Sequence, residues 1–155
     1  MRDSEFKKKI SRARRVEREI MKWYRKNVDE TARMPAQNVK EYDIICKKVG
    51  NVEVKEDRYT HKTGNYAIEV EDASGSPSGI KMTTAEEFVL VDWENVLIMK
   101  TDALKYAIRQ SKRKYKVKMG YTTLDGERAK GWLVPKEDIT GVATVLERWF
   151  PVWQE

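Results

Sequence analysis

The sequence has very little cysteine and histidine: Cys46 and His61 are the only residues of their types among its 155. One cysteine excludes an internal disulfide framework, and so small a set excludes zinc sites that need several Cys or His ligands. No apolar run approaches the ~18 residues of a membrane-spanning helix, and the basic N-terminal stretch lacks the apolar core of a secretory signal. We therefore expect an intracellular, cytoplasmic protein without a membrane partner.

Charge is abundant. Charged residues make up 36% of the sequence, the formal net charge is +6 and the pI is near 9.3. Such a chain favours an anionic partner, although basicity alone does not separate nucleic acid from an acidic membrane surface. The length and the absence of internal repeats predict a single domain over 1–155.

The hydrophobic pattern predicts an α/β fold. Helices are expected at about 4–27, 102–110 and 136–148, with a short helical turn near 83–87. Strands are expected in a hairpin at about 40–58, and then at about 66–72, 88–92, 96–100, 115–119 and 131–134. Thr101 is the expected N-cap of the helix that follows it.

The most informative segment holds Asp43, Glu53 and Lys55 on the two sides of a turn signal at Gly50. Side chains alternate between the faces of a strand, so the register of the hairpin decides whether Asp43 and Glu53 share a face. A two-residue turn at 50–51 separates them. A three-residue loop at 48–50, with Gly50 in the left-handed conformation, pairs residue 47 with residue 51 and places all three charged groups together.

The three-residue loop also gives the hairpin an apolar face, which is what packing on a core requires. That face consists of Tyr42, Ile44, Cys46, Val52 and Val54. Two carboxylates and an ammonium on the other face are suited to holding a divalent metal against a phosphodiester. The segment therefore predicts a nuclease.

A helix bearing a glutamate, then Asp-x9-Glu-x-Lys on a hairpin, a third strand and a helix, resembles the PD-(D/E)xK nuclease superfamily. That group includes type II restriction enzymes, phage-type exonucleases and archaeal Holliday-junction resolvases. The resemblance covers about 13–110, and the segments at 62–65 and 77–85 are similar to small phage and viral members. For a viral protein the expected location is the host cytoplasm. Tyr42 stands where the superfamily often has proline.

The resemblance implies a restriction-endonuclease-like fold, in which helices flank a central mixed sheet. The nuclease core would span about 13–110, followed by a basic C-terminal extension at 111–155. Asp43 and Glu53 would bind Mg²⁺ or Mn²⁺, and Lys55 would position or activate the attacking water. A lysine beside carboxylates stays protonated, which favours electrostatic stabilisation over general-base action.

The helix carboxylate implied by the resemblance is Glu17, with Glu19 as the alternative. A competing acidic set also exists: Asp57, Glu69 and Glu71. It is the weaker prediction because Glu71 stands where the lysine should be. Glu69 remains a candidate to hold the metal ligands in place from behind or to bind a second metal.

DNA contacts are expected at Lys62 and at hydroxyl groups that suit phosphate oxygens, those of Ser78, Thr83 and Thr84. A basic row is expected along one face of a strand: Lys112, Lys114, Lys116 and Lys118. Such a row neutralises phosphates, or alternatively serves as a solvated sheet edge that resists aggregation. The aromatic residues Trp149, Phe150 and Trp153 predict a core or homodimer anchor rather than a base-stacking platform.

The function predicted from these features is that of a metal-dependent DNA endonuclease, a phosphodiester hydrolase that acts on branched DNA such as Holliday junctions. One alternative is a DNA exonuclease of phage-type recombination or processing that uses the same site. The other is a non-catalytic nucleic-acid-binding module, because a fold alone does not establish an activity.

Overall fold

The computed structural model describes residues 2–36, 39, 41–122 and 128–150. Its helices are α1 (Arg2–Asn27), α2 (Thr60–Thr63), α3 (Thr101–Gln110) and α4 (Lys136–Thr140), with a 3-10 turn at Gly79–Lys81. Its strands are β1 (Val52–Glu56), β2 (Asn65–Glu71), β3 (Glu87–Val91), β4 (Asn95–Lys100), β5 (Tyr115–Thr122), β6 (Arg128–Pro135) and β7 (Thr144–Glu147). The predicted α/β class is confirmed.

The strands form two sheets rather than one. A mixed sheet has the order β1-β3-β4-β7, in which β1 runs parallel to β3 and the other pairs are antiparallel. An antiparallel sheet has the order β2-β6-β5. Strands that follow residue 110 therefore complete both sheets.

Successive side chains of β3 point alternately into two hydrophobic cores, one on each side of the mixed sheet. Val89 and Val91 face α1 and pack in the first core with buried α1 residues such as Val16 and Ile20. Phe88, on the opposite face, packs in a second core with residues of the three-stranded sheet, α3 and α4. The mixed sheet is thus covered on both sides, which explains the nearly continuous burial of β3.

The predicted hairpin forms only in part, because its second half is β1 but its first half makes only isolated bridges, Ile44 with Val52 and Ile45 with Arg33. The predicted register is wrong. The predicted apolar face is buried except for Tyr42, which is half-buried. Ile44 bridges Val52, a register two residues from the expected one, so the parity of the faces is unchanged. Pairing stops there because the Asp43 carboxylate accepts the Val54 amide hydrogen and takes the place of the next strand carbonyl. Gly50 has the predicted positive φ, 89°, and its amide closes the turn onto the Cys46 carbonyl.

Three further local predictions are wrong. The expected helix at 136–148 ends at Thr140, and Thr144–Glu147 form β7 instead, where Val145 and Leu146 pair with β4. The helical turn lies at Gly79–Lys81, not near 83–87. Thr101 is the first helical residue of α3 and does not cap it.

The aromatic residues near the C-terminal end divide between core and surface. Phe150 is buried in the first core, as the core-anchor prediction required. Trp149 is exposed and stacks on Trp23 of α1 with ring centroids 6.2 Å apart. Trp153 lies outside the described residues.

A buried polar network joins the two sheets. The Tyr66 hydroxyl on β2 donates a hydrogen bond to Asp92 Oδ2, just beyond β3. Lys136 Nζ pairs with the same oxygen at 2.7 Å. Neighbouring hydrogen bonds hold the pKa of Asp92 below its ordinary value despite its burial, so the carboxylate stays charged.

We expect Tyr66→Phe to lower the free energy of unfolding by about 1–2 kcal/mol, because Asp92 loses a buried hydrogen bond but keeps Lys136. The melting temperature should fall by about 3–6 °C. Tyr115→Phe, at an exposed position, is the matched control and should leave it unchanged. Equal melting temperatures for Tyr66→Phe and the wild type would contradict the assigned role.

Candidate active site

The side chains singled out by the sequence lie together at the outer edge of β1. Lys55 Nζ is 3.2 Å from Glu53 Oε1 on the same face of the strand. Asp43 Oδ2 accepts a 2.8 Å hydrogen bond from the Val54 amide at this edge. Glu17 of α1 is hydrogen-bonded to the Asp43 carboxyl group. Helix, loop and strand thus contribute to one acidic cluster that contains a lysine.

Packing and an ion pair fix α1 against β1. Val16 and Ile20 are buried in the first core, so the neighbouring Glu17 carboxyl group lies at the border of that core. Arg12 Nε on the same helix is 2.7 Å from Glu56 Oε1, at the end of β1. These contacts determine where Glu17 meets Asp43.

The neighbouring carboxyl groups of Glu17 and Asp43 both have raised pKa values. Burial, and then the charge of Asp43, raise the pKa of Glu17 to about 8. Burial also raises the pKa of Asp43, although the hydrogen bond from Val54 opposes the shift. Two close carboxyl groups with little water resist carrying two negative charges, so Glu17 is mostly protonated at neutral pH.

Glu53 is the most enclosed carboxylate of the cluster. Its side chain is 5% exposed, whereas that of Lys55 is 55% exposed. Burial raises the pKa of Glu53 to about 7, with Lys55 opposing the shift. Among the described residues nothing forms a hydrogen bond to the buried Glu53 Oε2.

Lys55 remains a cation. Desolvation would lower its pKa, but the carboxylates of Glu53 and Asp43 outweigh that cost and hold the pKa above its ordinary value. Glu69 adds to the same effect from β2. An ammonium group so placed can stabilise negative charge, but it is a poor proton acceptor.

The donors suit a hard divalent cation. The described residues contain no group of three or more His, Cys, Asp or Glu side chains that could hold a metal ion. Mg²⁺ nevertheless often binds through one or two carboxylates and takes its other ligands from water and phosphate. The unpaired Glu53 Oε2 and the adjacent Asp43 carboxylate fit that pattern, because a buried carboxylate oxygen without a partner is costly.

The alternative carboxylates have other partners. Glu19 pairs with Lys22 at 3.2 Å, away from this cluster. Just before α2, Asp57 Oδ1 accepts the amide hydrogens of Tyr59 and Thr60, and its other oxygen accepts that of Ala67. The competing acidic set therefore forms no metal-binding group among the described residues, and a register shift lies between its Glu69 and Glu71.

The hydroxyl groups predicted to contact DNA donate within the protein. Ser78 Oγ donates to Glu69 Oε2 at 2.7 Å. Thr83 Oγ1 donates to the Glu41 carbonyl at 2.7 Å, and the Thr84 amide donates to the same carbonyl. Thr83 and Thr84 therefore tether the segment that leads to Asp43. Lys62 is exposed on α2.

The predicted basic row is shorter than expected. Lys112 and Lys114 precede β5, so Lys116 and Lys118 alone belong to the strand. Lys114 donates to two backbone carbonyls at the C-terminal end of α3 and lies 5.4 Å from the centroid of the Trp132 ring. Lys116 lies 5.0 Å from the same ring.

Sequence reasoning missed two charged neighbours of the cluster. Glu41 acts on Glu53, and Arg14 on Glu17 and Asp43, through their charges. Glu41 stands two residues before Asp43, the spacing of one strand face, and that signal was available in the sequence. Nothing in the local pattern of α1 distinguishes Arg14 from its other arginines.

Comparisons of the chain with protein-family models, with curated proteins and with solved structures found no match. Among the described residues, no helix has both the length and the apolar character needed to cross a membrane.

Proposed function

We propose that the protein is a Mg²⁺- or Mn²⁺-dependent DNA endonuclease with a restriction-endonuclease-like fold, and that it acts on branched DNA. The observation that carries the proposal is the meeting of Glu17, Asp43, Glu53 and Lys55 at one strand edge. These groups come from a helix, a loop and a strand, and Glu17 is separated from the others by more than twenty residues, so their meeting depends on the fold. The net charge of +6 suits a polyanionic substrate.

Asp43 and Glu53 would hold the metal, which when bound polarises the phosphate and supplies a water of lowered pKa. Hydrolysis joins the oxygen of a water molecule to phosphorus and breaks one phosphorus–oxygen ester bond. Lys55 stabilises the negative charge that develops on the phosphate oxygens. Glu17 orients Asp43 through their hydrogen bond, and its raised pKa keeps it mostly protonated at neutral pH.

The direct test is incubation of the protein with supercoiled, linear duplex, single-stranded and four-way-junction DNA in Mg²⁺, Mn²⁺ or Ca²⁺. We expect cleavage with Mg²⁺ and Mn²⁺, fastest on the junction. Products that shorten only from ends would favour an exonuclease. Binding without cleavage in every metal would favour a non-catalytic module.

The basic residues should make DNA binding salt-dependent. We expect Lys116→Ala and Lys118→Ala each to reduce the slope of log affinity against log salt concentration by about one unit. Lys114→Ala should change it less, because that ammonium already binds backbone carbonyls. Lys105→Ala on α3 is the control. A slope that none of these changes alters would show that this strand is only a solvated edge.

A further inference from the structure

We infer that a cleft beside Lys55 accepts an unpaired nucleobase of the DNA. The inference rests on the proposed function and specifies the form of DNA that the site takes. The cleft has a volume of about 520 Å³ and lies between the end of β1 and the three-stranded sheet. Pockets for small organic groups measure ~300–1,000 Å³, so the cleft can hold a base with its sugar.

The floor of the cleft is largely apolar. Ala67, Leu133 and Val117 line it from the neighbouring strands β2, β6 and β5, and Met119 extends it. A phosphate would lose its hydration on such a surface without compensation, whereas the faces of a base are apolar. The floor therefore favours the base over the backbone.

The charges in the cleft indicate the same orientation. Glu69 lines it and is held by Ser78, and a carboxylate repels phosphate but accepts a hydrogen bond from the amino group of a base. Glu56 and Asp57 also line the cleft, but Glu56 is paired with Arg12 and Arg148, and Asp57 accepts backbone amide hydrogens. Lys55, Arg58 and Lys118 line the same cleft. They supply positive charge for the phosphates on either side of a base inserted between them.

Tyr59 gives the cleft an aromatic wall. It lines the cleft and is 67% exposed. Bases stack on such rings with little sequence preference. A base inside a duplex cannot do so, because it is paired and both its faces are covered by neighbours. The cleft therefore selects nucleotides that are already unpaired, such as those in bulges, flaps and single-stranded tails.

The test is equilibrium binding in EDTA, with labelled duplexes that are identical except that one carries a single unpaired nucleotide. We expect the wild-type protein to bind the duplex with the unpaired nucleotide at least about tenfold more tightly. Equal affinities would overturn the inference. Because no metal is present, the result does not depend on cleavage.

The two proposals fail separately. A protein that cleaves DNA in Mg²⁺ but shows no preference in EDTA would refute the cleft assignment alone. A preference in EDTA without cleavage in Mg²⁺ or Mn²⁺ would refute the nuclease assignment alone, leaving a module that binds unpaired nucleotides.

Variants then locate the preference in the cleft. Tyr59→Ala should lower affinity for the unpaired nucleotide about tenfold and leave affinity for the paired duplex unchanged, while Tyr59→Phe keeps the preference. Tyr106→Ala is the matched control, since Tyr106 is a 53% exposed tyrosine on α3 that does not line the cleft. Ala67→Phe, which fills the cleft, should also remove the preference. Retention of the full preference by either folded variant, Tyr59→Ala or Ala67→Phe, would overturn the assignment.

Discussion

Replacing Glu53 by glutamine or Lys55 by alanine is expected to lower the rate of DNA cleavage at least about a hundredfold, with most DNA affinity retained. Glutamine keeps the size of the Glu53 side chain but removes the negative charge that binds the metal. In the wild type, Glu53 Oε2 is buried and has no hydrogen-bond partner among the described residues. Lys55→Ala removes the cation nearest to Glu53. DNA affinity should persist because the lysines of β5 remain.

Matched substitutions outside the cluster should leave cleavage unchanged. Glu147→Gln changes a carboxylate on β7, at the opposite edge of the mixed sheet from β1. Lys100→Ala removes a lysine that, like Lys55, pairs with a glutamate of a strand, here Glu87 at 3.6 Å. Normal cleavage by both Glu53→Gln and Lys55→Ala would place the chemistry elsewhere in the protein.

Ca²⁺ should allow DNA binding to be measured without DNA cleavage in the same assay. Ca²⁺ has the charge of Mg²⁺ but accepts longer and looser coordination, so it should support DNA binding without positioning a water for attack. Mg²⁺ or Mn²⁺ added afterwards should restore cleavage of the bound DNA. Rapid cleavage in Ca²⁺ alone would contradict the assigned metal chemistry.

Local periodicity predicted most strands and the faces of the hairpin, because alternation reflects burial directly. Ile44, Cys46, Val52 and Val54 are all buried, as the pattern required. Asp43 and Glu53 share a face as predicted despite the wrong register, because a shift by an even number of residues leaves each side chain on the same face of the strand. The pattern gives no sign that the Asp43 carboxylate ends the pairing with β1. That effect arises because the Asp43 side chain, rather than a backbone carbonyl, accepts the Val54 amide hydrogen.

The sequence pattern did not predict that the strands divide into two sheets. β2 pairs with β6, which follows it by more than fifty residues, and no local signal specifies such a partner. At 136–148 the apolar spacing favoured a helix, but the β-branched residues Thr144 and Val145 follow Gly141 and add to the edge of β4. The cleft beside Lys55 escaped prediction for the same reason, since its walls belong to both sheets.

Metal affinity is expected to rise steeply with pH, because binding must displace protons from the carboxyl groups. The pKa of Glu53 is about 7 and that of Glu17 about 8, both above the ordinary value of 4.5. If only Glu53 must ionise, Mn²⁺ affinity should increase about tenfold between pH 6 and pH 8. If Glu17 must ionise as well, the increase should be at least about a hundredfold over the same interval.

Glu17→Gln distinguishes these cases, because it removes the ionisation with the higher pKa and leaves Asp43 and Glu53 in place. We expect an increase of at least about a hundredfold for the wild type and about tenfold for Glu17→Gln, measured by calorimetric titration with Mn²⁺ at each pH. Glu19→Gln, which changes a glutamate of the same helix that pairs with Lys22, should behave as the wild type. Identical pH profiles for the wild type and Glu17→Gln would show that the Glu17 proton stays on the protein when the metal binds. A Mn²⁺ affinity independent of pH would remove Glu53 from the metal site, since a carboxyl group with a pKa of about 7 cannot bind the cation over this range without losing its proton.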